Sequence, residues 1–372
     1  MRARLAIAAA VAVAAALAFG ATRHLGFEAD SFNRVYPAGY ANNAVFSPLS
    51  FEIDCVVFAE SMDTLGKAHV AETMGVLVDL EGVYGPLLRE FDNRTNGFSL
   101  VSARAFCVPD VRIASPAFRQ QLQRELRVET CNLIPKEGIE AWLRATMDGE
   151  MDDFEVPMSV VASDRFAYYD LVSVKAEFEQ PFPAAGVKRL PFHLQDGKTV
   201  ETSFFTDVRE VDAWECKEYV LVRLPLKGGC GLYVMLPKGS VAVADVKGDI
   251  SSLEIDRLIS AVKSITDRGT THSKAYIALP ELSITSRFDF SAVMRYYKFQ
   301  YAGLVRVTGL RPPKEIVQVA RLSVGGTDEG REAVEAPQGV PSLVFDRPFV
   351  FFVYHEGTGT IPVAGQYTGV SR

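Results

Sequence analysis

"LVFDRPFVFFVYHEGTGTIPVAGQY", residues 343–367, is apolar from Leu343 to Tyr354 except at Asp346, Arg347 and Pro348. A strand with one wet face would show a polar residue at every second position. This one does not, so it is too apolar to face water, and a buried strand is predicted over 341–353. Each apolar side chain buried there contributes about 1.5–3 kcal/mol. "HEGTG", 355–359, has one histidine where a zinc protease helix needs two, four apart, and reads as a hairpin turn. "GTGTIPVAG", 357–365, looks like a phosphate loop, but a strand containing Pro362 follows it rather than a helix. It is read as the return strand.

Immediately upstream, "GREAVEAPQGVPS", 330–342, is charged, has two prolines and no apolar rhythm, and so reads as an exposed loop on a short tether. Before it lie further strands: "GFSLVSARAFCV" (97–108), "RFAYYDLVSVKAEF" (165–178), "TVETSFFTDVREV" (199–211), "YVLVRLPL" (219–226), "GLYVMLP" (231–237), "KAYIALP" (274–280) and "IVQVARLSV" (316–324). Helices are fewer. Ser50 is read as capping "FEIDCVVFAESM" and Thr64 precedes "LGKAHVAETMGVL". Ser115-Pro116 opens "PAFRQQLQREL", another helix surrounds Trp142, and Ser251 with Glu254 forms a capping box. Strands outnumber helices without any βαβ rhythm, and no linker divides residues 40–310, so a single α+β domain with several sheets is expected.

The 372 residues, 48% hydrophobic and 23% charged, suit a globular chain with a large core. The net charge of -7 is dispersed and no basic run is interleaved with aromatics, which excludes nucleic acid as a partner. Arg2 and Arg4 precede "LAIAAAVAVAAALAFGA", 5–21. Residues 1–21 thus read as an export signal cut before Phe19, or as an N-terminal anchor if uncleaved. Residues 22–372 are the domain, and the mature protein is expected to be secreted or periplasmic, meeting a membrane only through an uncleaved anchor. The five cysteines are odd in number and lack CxxC spacing; they read as small core residues, with Cys216 and Cys230 the one pair to test as a disulfide. His24, His69, His193, His272 and His355 are too scattered for a metal-binding turn. There is no GxSxG elbow, P-loop or dinucleotide-binding glycine motif, so neither a catalytic residue nor a cofactor is indicated.

Several stretches together carry a resemblance to one known family. "NNAVFSPLSFEIDCVVFA", 42–59, is similar to the serpin opening, a strand ending in a Ser-Pro-x-Ser element that begins the central helix. "VKAEFEQPF", "LPFHLQDGKTVETSFFTD" and "VLVRLPLKGGCGLYVMLPKG" follow in the serpin order, then "AYIALPELSITSRFDFSAVM". The stretch from Leu343 to Tyr367 resembles the C-terminal signature of the family. The resemblance implies about three sheets among eight or nine helices. It also implies a partner, a serine or cysteine protease, held when a cut loop inserts into the large sheet as a new strand.

Against that pattern the loop departs. Gly330 matches the hinge glycine, but where small residues are expected stand Arg331, Glu332, Ala333, Val334, Glu335, Ala336 and Pro337. Alternate side chains share a strand face, so Arg331, Ala333, Glu335 and Pro337 would turn inward together on insertion. Burying Arg331 or Glu335 unpaired costs several kcal/mol, and Pro337 removes a ladder donor. From Gly330 to Pro348 is 18 positions (348 − 330), where an inhibitor needs about two dozen. Where the large sheet opens, the resemblance places Ser47 and Ser50, with Asp170 in place of asparagine and Gln318 in place of histidine; nearby, Phe178 replaces tryptophan. The expectation is an exported, non-inhibitory protein that binds another protein or a small ligand. The alternative is an endopeptidase inhibitor acting through residues 330–344, by trapping or as a rigid competitive loop.

Overall fold

The computed structural model describes residues 41–75, 78–91, 96–132, 136–151, 165–246, 273–297 and 311–369, with 27, 28, 30–32, 34, 35 and 264. The segment 1–21 and the Ser251–Glu254 box lie outside the described residues.

Three sheets run into one another through two long strands. The central sheet holds β2 (Phe98–Val108), β3 (Val128–Asn132), β4 (Arg165–Pro183), β10 (Leu282–Asp289) and β11 (Arg311–Asp328). Their order is β3-β2-β4-β11-β10. Its middle pair, β4 and β11, is parallel, from Glu315 opposite Ala167 to Gly325 opposite Glu177. A second sheet runs β1 (Ala44–Phe46), β14 (Thr360–Tyr367), β13 (Phe349–His355), β8 (Cys230–Pro237), β7 (Tyr219–Leu226) and the end of β6 (Thr199–Glu215). The third pairs β5 (Val187–His193) with β6, β6 with β9 (Ser273–Pro280), and β9 with β12 (Ser342–Val344). The α+β architecture expected from the strand-rich sequence is the one found.

Helix α1 (Pro48–Glu60) is buried along its whole length, packed on β14 and β4. Its cap is Ser47, whose Oγ accepts from Ser50 N–H, not Ser50 itself, which lies inside the first turn. Helix α2 (Thr64–Met74) takes Asp63 as cap, and α3 (Gly85–Glu90) follows. Helix α4 (Pro116–Leu126) starts as the sequence indicates, with Ser115 Oγ accepting from Phe118 N–H and proline in the first turn. Helix α5 (Lys136–Met147) carries Trp142 and lies across β2 and β4; α6 (Ser291–Tyr296) is short.

The predicted strand 341–353 is corrected in its first half. Residues 345–348 are not strand, so the run divides into half-exposed β12 in the third sheet and buried β13 in the second. Asp346, Arg347 and Pro348 make the break: Pro348 has no ladder donor, and Arg347 Nη2 donates to the Pro237 carbonyl at 2.8 Å. Phe349 and Phe351 are both fully buried, as the apolar run requires. Gly365 is obligatory beside them, since a Cβ there would fall 2.3 Å from the Ala44 carbonyl oxygen and 2.5 Å from the Phe351 ring.

Candidate functional site

A row of polar residues crosses the middle of the central sheet. Arg104 on β2 sits opposite Asp170 on β4, which sits opposite Gln318 on β11, and residues directly opposite share a face. All three are fully buried beneath the first turns of α1. Gln318 Nε2 donates to Asp170 Oδ2 at 2.8 Å, crossing the seam between the two parallel strands, and Gln318 Oε1 accepts from Ser47 N–H at 2.8 Å. Ser47 Oγ donates to the Pro362 carbonyl at 2.6 Å. Ser50 Oγ accepts from Arg104 Nη2. Arg104 Nε reaches Asp54 Oδ1 at 3.1 Å and Asp170 Oδ1 at 3.5 Å, and Tyr168 OH donates to Asp54 at 3.0 Å. Ser47, Ser50, Asp170 and Gln318, which the sequence placed together by resemblance, are thus one hydrogen-bonded group.

The sequence reading missed Arg104, Asp54 and Tyr168. The lone charge Arg104 inside "LVSARAFCV" and the two acidic residues Glu52 and Asp54 inside "FEIDCVV" were the available signal, because a charge in a wholly buried element is retained only with a partner. Two carboxylates here share one guanidinium. Burial and the Asp170 charge push the Asp54 carboxyl well above its ordinary range, although Arg104 pulls the other way. Burial alone would lower the Arg104 guanidinium, but Asp170 and Asp54 outweigh it and hold the cation.

A second cluster lies where β11 gives way to the loop. Gly330 N–H donates to Asp328 Oδ1 at 2.8 Å, in the turn that ends the strand. Arg331 Nη2 donates to Asp207 Oδ2 at 2.9 Å and Nη1 to the Pro181 carbonyl. The same carboxylate oxygen accepts from Arg209 Nη2 at 3.0 Å. Asp207 and Arg209 are two apart on β6 and so share a face, with Asp207 only 1% exposed. Arg209 lies over the Phe182 ring, 3.5 Å from its centroid, and over Phe178 at 6.0 Å. Burial lowers the Arg209 guanidinium, and the Arg331 charge adds to that. Asp207 therefore joins two cations that would otherwise repel. Sequence reading singled out Arg331 and Phe178 but missed Asp207 and Arg209, because pairing between a loop and a distant strand leaves no local pattern.

Beyond Arg331 the backbone has no regular structure until the turn at Pro337–Val340, closed by Val340 N–H donating to the Pro337 carbonyl at 3.3 Å. Gly339 supplies the positive φ of 79°. Arg331 and Ala333 are half-buried while Glu332 and Val334 are exposed, so alternation is present before any strand is formed. Glu335 and Ala336 are exposed, as is Pro337, and the Glu335 carboxylate lies 3.7 Å from Lys188 Nζ.

The Cys216–Cys230 pairing is corrected: all five cysteines are free thiols. Cys230 opens β8 opposite Leu226, the last residue of β7, whereas Cys216 precedes the first, Tyr219. They stand at opposite ends of a hairpin of eight-residue strands, and at about 3.3 Å per residue this is far beyond the roughly 7 Å Cα limit of a disulfide. Among the described residues no group of three or more His, Cys, Asp or Glu is placed to hold a metal ion.

The family model described as "Serpin (serine protease inhibitor)" matches residues 23–369. The chain is 21% identical to Serpin B8 of Bos taurus over 88% of this chain and 93% of that one. It is 22% identical to plasminogen activator inhibitor 1 of Neovison vison, over 90% and 89%. Among solved structures, native protease nexin-1 with heparin superposes with a TM-score of 0.79 at 18% identity, covering 95% of this chain and 99% of that one. Arabidopsis AtSerpin1 in its native stressed conformation gives 0.78 at 16%, covering 95% and 98%.

Proposed function

The chain belongs to the serpin family, and from that premise we propose that it is an exported, non-inhibitory member that acts by binding and whose loop does not travel into the central sheet. The observation that carries this reading is the Arg331 clamp. To enter between β4 and β11, the loop would have to lift Arg331 from Asp207 and Pro181 and turn that cation toward the sheet interior, where a lone charge costs several kcal/mol. The seam would also have to part at the Gln318–Asp170 bond, within the Arg104 ion cluster. Export is supported by Arg2, Arg4 and the alanine-rich run to residue 21.

A second reading, reversible inhibition by a rigid loop, is favoured by the turn at Pro337–Val340, which pre-orders an exposed segment for a protease cleft. Incubation with a panel of serine and cysteine proteases, followed by denaturing electrophoresis and an activity assay, separates these. The proposal expects a loop cut as an ordinary substrate and proteases left active. Reversible inhibition without a covalent adduct would install the second reading, and an adduct that survives denaturation would overturn both.

A further inference from the structure

Cys107 and Cys131 are paired residues on neighbouring parallel strands, β2 and β3, with sulfurs 3.4 Å apart. Directly opposite residues point to the same face, and the usual strand spacing of about 4.8 Å falls within the Cα separation a disulfide takes. The sulfurs are in van der Waals contact, so side-chain rotation is the movement that brings them to bonding distance. Cys107 is buried in the small apolar cluster that also holds Leu143 and Met147 of α5, while Cys131 is half-buried at the margin of that cluster, so Cys131 is the more reachable thiol of the two.

We propose that Cys107 and Cys131 are a redox modification site that closes into a cross-strand disulfide when the protein meets an oxidant of the disulfide class. The Cys131 thiol loses its proton and attacks one sulfur of the oxidant; a mixed disulfide forms and the first thiolate leaves. The Cys107 thiol then loses its proton and attacks the Cys131 sulfur, displacing the second thiolate, so that the dithiol gives up two electrons and two protons and the oxidant leaves as two thiols. Burial pushes the Cys107 thiol well up, which makes the second step the slow one. The bond fastens the five-residue strand β3, the edge of the central sheet, to β2. It lies on one side of the β4/β11 seam and does not cross it.

Native protein is incubated with excess oxidised glutathione, alkylated in denaturant and digested with trypsin. The expected product is peptide 105–112 joined to peptide 128–136, two hydrogens lighter than their sum, with three alkylated thiols left of the five (5 − 2). Closing a loop of this size should raise the melting temperature by a few degrees in the wild type and not in Cys131→Ser. The proposal is overturned if Cys107 remains alkylatable while Cys131 carries glutathione, if both stay free, or if another pair is joined. An unchanged melting temperature in the cross-linked protein would contradict the fastening of β3. The wild-type peptide result stands even if a serine variant fails to fold.

Discussion

Asp207 is the residue on which the hinge balances, because its carboxylate pairs with two guanidinium groups, Arg209 and Arg331. Arg331→Ala removes a side chain that is 30% exposed and leaves Asp207 paired with Arg209, so the expected cost is modest, about 1 kcal/mol or less. Asp207→Asn leaves Arg209 and Arg331 facing each other beside the Phe182 ring without a counter-charge, and about 3 kcal/mol is expected. Urea unfolding of both variants checks the order; equal costs would show that the arginines are not held by this carboxylate. Asp54 gives a pH signature. Its folded-state pKa is raised by burial, so the folded protein keeps a proton that the unfolded chain releases above about pH 4. That contribution is present at low pH and is lost as pH rises through the raised value. Asp54→Asn should therefore show a smaller loss of stability from pH 5 to pH 8 than the wild type in paired unfolding curves; an identical loss would mean that Asp54 ionises in the folded state as it does in the unfolded one.

Elements were legible where one local rule governed them. Ser115-Pro116 is a cap followed by a first-turn proline, and α4 begins there; Ser115→Ala should cost about 1 kcal/mol by removing the acceptor for Phe118 N–H. Ser47 and Ser50 show where such a rule fails. Both precede an apolar run and both are good capping residues, but only Ser47 caps, while Ser50 receives Arg104 from a strand 54 positions away. Ser50→Ala is expected to behave as the loss of a buried hydrogen bond to a charge, about 1.5–3 kcal/mol, without fraying of α1. Amide exchange in the first turn of α1, unchanged in Ser50→Ala and faster in Ser47→Ala, distinguishes the two roles. The run from Leu343 to Tyr354 carried enough apolar surface to announce a strand but not its division, because half-exposed β12 and buried β13 both suit the same residues. Only Asp346, Arg347 and Pro348 marked the change of sheet. Cysteine pairing was illegible for the opposite reason: count and spacing say nothing of register, and register sets Cys107 opposite Cys131 while holding Cys216 and Cys230 at opposite ends of a hairpin.

Across the whole molecule, strand succession carried the fold, since collinear order from residue 23 to 369 is a property of the complete chain rather than of any single motif. The clusters at the hinge and beneath α1 join β6 to the loop and β2 to α1, contacts over 124 and 50 positions, and such long-range pairs become visible only in three dimensions. Together they describe a sheet fastened at its middle and at the mouth of its loop. The measurement that bears most directly on this is a calorimetric scan before and after a single cut between Arg331 and Gly339. If the hinge stays clamped, the cut ends remain outside the sheet and the melting temperature shifts by less than about 5 °C, as expected for a local change of about 1–2 kcal/mol. A rise of tens of degrees would mean that the cut loop enters between β4 and β11 as a new strand, and that the clamp at Asp207 does not hold.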